Sequence, residues 1–137
     1  MVPVPIEEWS RWGAFREELR SQGFVAGKNL VIEARHARGD VARLQIEAEA
    51  LVASGVDAIV TLGTPPTVAA MKATSRIPIV FAFVGDPLEK GLIANLSRPG
   101  GNVTGMATLT SYPKLWQLLH EVSPSTRRVG VVTHEQN

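Results

Sequence analysis

Residues 57–67, D-A-I-V-T-L-G-T-P-P-T, limit the folds open to this chain more than any other stretch. A short apolar, β-branched run halts at Gly63-Thr64-Pro65 and passes at once into small helix-forming residues. Such a run, bounded by turn residues, predicts a strand buried on both faces, as in a parallel sheet. Thr64 suits a helix N-cap, and Pro65 suits the first helical position, where its missing N–H is not needed. The strand then hands the chain to a helix N-terminus, whose free N–H groups and positive dipole end lie at the carboxyl edge of the sheet. Open α/β sheets take small ligands at that edge, anionic groups in particular. The same turn also occurs in α/β units that bind nothing, so the pattern locates an edge without naming a chemistry.

The rest of the chain repeats this grammar. Residues 6–22 are expected to form a helix, with Trp9, Trp12, Phe15 and Leu19 on one face and Arg11, Glu17, Glu18 and Arg20 turned outward. Gly23 fits its left-handed stop. Residues 30–35 alternate as a strand. Asp40 caps a second helix whose inner stripe is Val41, Leu44, Ala48, Leu51 and Val52, ended by Ser54-Gly55. A third helix follows Pro65 to about Ala73. Residues 79–83 form another apolar strand, closed by Gly85-Asp86-Pro87. A short extended piece spans 103–105, a last helix starts near Pro113, and 129–133 make a final strand. Strand and helix in alternation predict an α/β fold: a mainly parallel, Rossmann-like sheet flanked by helices and built from βαβ units. A doubly wound sheet normally opens with its central strand, whereas this chain opens with a helix, which predicts that the opening strand is missing.

Composition removes several functional classes. The 137 residues include 14 basic and 13 acidic side chains, a net charge of +1, so there is no electrostatic footprint for nucleic acid. With no cysteine there is neither a disulfide framework nor a thiolate metal site. His36, His120 and His134 lack metal-ligand spacing. No apolar run is long enough to span a bilayer, and residues 1–8 have neither the basic start nor the apolar core of a signal peptide. There is no G-x-S-x-G elbow and no phosphate loop, so no catalytic activity and no cofactor is implied. Asn102-Val103-Thr104 matches the glycosylation sequon, a pattern common by chance. One carboxylate stands out. Asp86 follows an apolar strand and should share the sheet edge with Thr64, either as a turn former or as acceptor for a ligand ammonium or hydroxyl.

Residues 15–33, F-R-E-E-L-R-S-Q-G-F-V-A-G-K-N-L-V-I-E, resemble the F-R-x-x-L-x-x-x-G-Y-x-x-G-K-N-x-x-I-E block of the bacterial ABC-transporter substrate-binding proteins of the tryptophan/tyrosine type. Further blocks follow in family order: V-D-A-I-V-T-L-G-T-P at 56–65, I-P-I-V-F at 77–81, V-G-D-P at 84–87, G-L-I-A-N-L-S-R-P-G-G-N-V-T-G at 91–105 and R-V-G-V-V at 128–132. The resemblance implies a periplasmic-binding-protein fold of two α/β lobes, a ligand held between them, delivery to a membrane permease, and a periplasmic or membrane-anchored extracytoplasmic location. It implies a small amino-acid-like or carboxylate ligand, an aromatic amino acid being the family-level expectation with branched or other small carboxylates still open, bound by Gly63, Thr64, Pro65, Thr67, Asp86, Asn102 and Thr104. On this reading residues 1–105 are an N-terminal ligand-binding lobe without its opening strand. Residues 106–137 are the crossover helix and first strand of a truncated second lobe.

Pro66 departs from the family, which commonly has Ala there, and so removes one backbone donor from the proposed cradle. Two other classes share such a fold: the effector-sensing lobe of a transcription regulator, and a flavodoxin-like enzyme or phospho-receiver. The first lacks its DNA-binding helices here and the second its acidic cluster or phosphate loop. The empty central slot carries an expectation of its own. Residues 129–133 have the small apolar character of an opening strand and are expected to lie between the strands at Val31 and Ile59, within one chain or by exchange in a swapped homodimer.

Overall fold

The computed structural model describes residues 12–108, 117, 118, 120–125, 128 and 129. Its elements in chain order are α1 (Trp12–Ser21), α2 (Val41–Ala53), β1 (Ile59–Leu62), α3 (Thr64–Ala73), β2 (Ile79–Val84) and β3 (Val103–Ala107). The three strands form one parallel sheet in the order β1-β2-β3, with Ile59 beside Ile79 and Ile79 beside Val103. All three strands therefore begin at one edge and end at the other, which places the turns after β1, β2 and β3 together.

The core lies on one side of this sheet. Ile59, Ile79, Phe81 and Val103 are buried with Ala70 of α3, and Val52, Val56, Val68, Met71 and Ile77 close around them. Leu92 and Ile93 enter the same cluster from the segment after β2. α3 packs on β1 and β2, and α2 packs on α3. Asp40 caps α2 as expected, its carboxylate accepting from the Ala42 and Arg43 N–H groups at 3.0 and 3.3 Å. At the other end of α2, Gly55 takes φ 77°, a left-handed stop that favours glycine.

Three expectations are corrected. The strands are not buried on both faces: β1 alternates buried and exposed, with Val60 54% exposed, and Val80 and Met106 also face outward. α3 covers one side of the sheet and α2 packs on α3 rather than on the strands, while α1 makes no substantial contact with the sheet. Residues 30–35 are not a strand. Leu30 makes a single bridge to Ala26, and Val31 is 85% exposed. Alternation supplies a suitable surface, but a strand also needs a neighbour for its N–H and C=O groups, and beyond the Leu30–Ala26 bridge no strand among the described residues pairs with this segment. The segment is tied instead by side chains, Arg35 reaching Glu47 of α2 at 3.8 Å and Ala37 being buried. Within α2, Val41 is exposed rather than part of the inner stripe, because the helix packs through its middle around Ala48.

The expected final strand lies outside the described residues except for Val129, which is exposed and carries no strand pairing. The slot-filling register expected of 129–133 lies outside them as well. Of the last expected helix, residues 117, 118 and 120–122 are helical.

Candidate functional site

At the carboxyl edge the chain leaves β1 through Gly63, which adopts φ 92° and ψ 170°. Only glycine enters that region at little cost, and so Gly63, not Thr64, is the N-cap of α3. Thr64 and Pro65 therefore stand one place further along than a Thr64 cap would put them, as the first two residues of the helix. The Gly63 N–H donates to the Ala82 carbonyl at 2.8 Å and fastens the turn to β2. Pro65 and Pro66 carry no N–H. Thr67 returns its own N–H to the Gly63 carbonyl at 3.4 Å. The donor left at the mouth of α3 is thus Thr64, whose N–H and hydroxyl have no partner among the described residues.

Thr67 has a different part from the ligand contact expected of it. It is fully buried, its hydroxyl donates to the Gly63 carbonyl at 2.7 Å, and it lies 2.9 Å from the Thr61 hydroxyl. A hydroxyl has one proton. Since Thr67 spends its own on Gly63, the Thr61 hydroxyl must be the donor in the Thr61–Thr67 bond. The resulting relay, Thr61 to Thr67 to Gly63, holds the turn from beneath while Thr64 faces the edge.

Asp86 lies at the same edge, just past β2, with φ 39°. One carboxylate oxygen accepts from the Glu89 N–H at 3.0 Å, and its carbonyl accepts from the Lys90 N–H at 3.2 Å. It forms its turn as Asp commonly does, and its second carboxylate oxygen, on an exposed residue, stays available. The third contributor is Thr108, beyond β3, whose N–H donates to the Val84 carbonyl at 2.8 Å.

Gly63, Thr64, Pro65 and Asp86 are therefore brought to one edge. Asn102 is not. It precedes β3 and so sits at the amino edge, where its side-chain amide donates to the Ile77 and Thr74 carbonyls at 2.8 and 3.3 Å. Its work is to pin the loop between α3 and β2. Thr104 is beside Val80 within the sheet, exposed on the uncovered face rather than at the edge. Sequence reasoning missed Thr108, which no motif marks, and the bulge at Phe83, a register shift between Ala82 and Val84.

A concavity of some size lies elsewhere. A groove of about 570 Å³ runs between α1 and residues 24–32, lined by Leu19, Phe24, Leu30 and Ile32 with Arg16 and Lys28 at its rim. It lies between α1 and the segment after it, its charged lining residues Arg16, Glu17, Arg20 and Lys28 include the exposed Arg20–Glu17 pair, and the strand ends of the sheet are the better candidate site. Among the described residues no group of three acidic, His or Cys side chains is placed to hold a metal ion, and no helix is long and apolar enough to cross a membrane.

Residues 6–137 match the family described as ABC transporter substrate binding protein. A tyrosine-binding protein of Clostridioides difficile is 35% identical over 118 residues, which is 86% of this chain and 34% of that protein. The chain thus spans about a third of the length of this curated relative. Among solved structures, a ligand-free, open substrate-binding protein with adhesive properties from Clostridium difficile superposes with a TM-score of 0.75 at 33% identity, over 91% of this chain and 42% of that one. A conserved domain protein from Vibrio cholerae gives 0.75 at 34%, over 82% and 38%. A Streptococcus pneumonia ABC domain in complex with L-Trp gives 0.65 at 29%, over 69% and 32%.

Proposed function

Because this chain belongs to the ABC transporter substrate binding protein family, we propose that it is a ligand-binding lobe for a small amino acid, of the aromatic class, in the solute-binding component of an importer. That family consists of binding proteins and not enzymes, and it works outside the cytoplasm beside an ABC permease. The relatives named for tyrosine and for L-Trp support the choice of ligand class. On this reading residues 1–105 form the first lobe and 106–137 begin the passage to the second.

One observation carries the reading: Thr64 offers an unpartnered N–H and hydroxyl at the mouth of α3, on the edge it shares with Asp86. A ligand α-carboxylate would accept from both donors at the positive end of the helix. The ligand ammonium would reach the free oxygen of Asp86. Pro66 narrows this cradle, so the Thr64 hydroxyl has more of the task than in relatives with a further backbone donor. A lone lobe leaves half of the ligand wet, and the affinity of this chain is expected to be millimolar or weaker. Calorimetric titration with L-tryptophan tests the assignment. Thr64→Val should weaken binding by about 1–3 kcal/mol, the cost of a lost hydrogen bond to a charged group. An unchanged dissociation constant would move the carboxylate elsewhere.

A further inference from the structure

Methionine sulfur is the softest nucleophile this chain holds. It has three methionines and no cysteine, so a two-electron oxidant finds no thiol to react with first. Two of the methionines lie among the described residues, and the fold treats them oppositely. Met71, on α3, is partly buried and packs against the core cluster. Met106, on β3, is 71% exposed.

Strand geometry keeps Met106 outside. Successive side chains of a strand point to opposite faces, and Val103, three places earlier, is buried in the core. Met106 therefore falls on the uncovered face. The ladder holds it there, since Val103 pairs with Ile79 and Met106 with Ala82. A slip of one residue, the shortest that would turn the sulfur inward, would expel Val103 from the core in exchange. Across the sheet Met106 stands in one row with Ala82 and Leu62, beside a second row of Thr104, Val80 and Val60. Leu62, Val60 and Val80 are exposed with it, and no charged side chain interrupts either row. The thioether is thus the oxidisable group on an apolar surface whose other polar side-chain atom is the Thr104 hydroxyl.

We propose that Met106 is a site of oxidation by hydroperoxides, and that its sulfoxide turns this apolar face polar without disturbing the fold. The sulfur lone pair attacks the terminal oxygen of the hydroperoxide. The S–O bond forms as the O–O bond breaks, sulfur gives up two electrons, and the departing oxygen takes the proton from the transferred one and leaves as water or an alcohol. The cost to the fold is small because the sulfur lies outside the core cluster and the new S–O group stays in water. The same change at Met71 would push a polar group among apolar ones. The inference is independent of the ligand reading above.

The test treats this chain with hydrogen peroxide and follows each methionine by peptide mass spectrometry. Met106 should gain its oxygen several times faster than Met71 in the folded chain, and the two rates should converge in urea. Once Met106 alone is oxidised, the chain should elute earlier from a hydrophobic-interaction column, with its thermal midpoint unchanged. Met106→Leu should keep its retention through the same treatment, and Met106→Gln, polar and of similar length, should elute early without peroxide. Equal rates for Met71 and Met106 in the folded chain overturn the proposal. So does a retention shift that Met106→Leu shows as well, or a thermal midpoint that falls when Met106 alone is oxidised.

Discussion

Replacing Thr67 by Val removes a single hydroxyl and keeps the shape of the side chain, yet two groups depend on that hydroxyl. Thr67 donates to the Gly63 carbonyl at 2.7 Å and accepts from Thr61 at 2.9 Å, in a pair that is nearly sealed from water. Losing both bonds costs about 1 kcal/mol each. The Thr61 hydroxyl is then left buried without an acceptor, a further penalty of about 1–3 kcal/mol. Thr67→Val should therefore destabilise by roughly 3–5 kcal/mol in urea unfolding monitored by circular dichroism, a large share of a typical domain's stability. Thr61→Val alone should cost only about 1 kcal/mol, because Thr67 still satisfies Gly63. In the double variant no hydroxyl is stranded, so it should be more stable than Thr67→Val alone by about 1 kcal/mol or more. Strict additivity of the two substitutions, within about 0.5 kcal/mol, would refute the relay and with it the claim that the turn at Gly63 is held from below.

Other consequences follow from the same geometry. A Cβ added at Gly105 would overlap the backbone oxygen and nitrogen of Phe81 across the β2–β3 ladder, so Gly105→Ala should destabilise by at least about 1–3 kcal/mol, read from the urea midpoint. Gly63→Ala forces a side chain into φ 92°, ψ 170° and should cost about 1–3 kcal/mol, with weaker L-tryptophan binding because Thr64 is displaced. Asn102→Ala breaks two hydrogen bonds at the amino edge and should lower stability by about 1–2 kcal/mol while leaving calorimetric affinity for L-tryptophan unchanged. The uncovered sheet face around Val60 and Val80 should drive concentration-dependent association in sedimentation experiments, and Val60→Lys should suppress it.

What was legible in the sequence was local. The run into Gly63-Thr64-Pro65 located a strand, a turn and a helix, and Asp40 announced its cap, because each depends on neighbours a few positions away. The choice between Gly63 and Thr64 as cap turned on a backbone conformation that only glycine enters, and a hydroxyl side chain one place later looked like the more usual solution. Residues 30–35 had the right alternation, but a strand is a property of pairs, and its partner is absent from the described residues. The two-sided burial expected of β1 failed for a similar reason, since covering the second face depends on where a distant helix packs. The placement of Asn102 follows from strand direction alone: a residue that precedes a strand of a parallel sheet lies at the amino edge, opposite Thr64. Thr67 misled because a helix's first turn offers hydroxyls to the ligand side and to the core side alike, and the sequence does not say which. Phe83 was hidden in an apolar run, since a bulge is a shift of register and leaves no mark in composition.

The central claim is that an amino-acid carboxylate is held by Thr64 at the carboxyl edge of the sheet. A crystal structure of this chain grown with L-tryptophan tests it most directly. The account predicts the ligand carboxylate about 2.7–3.2 Å from the Thr64 N–H and hydroxyl and its ammonium toward Asp86. A ligand seated instead in the groove beside α1, or at the Asn102 edge, would contradict it.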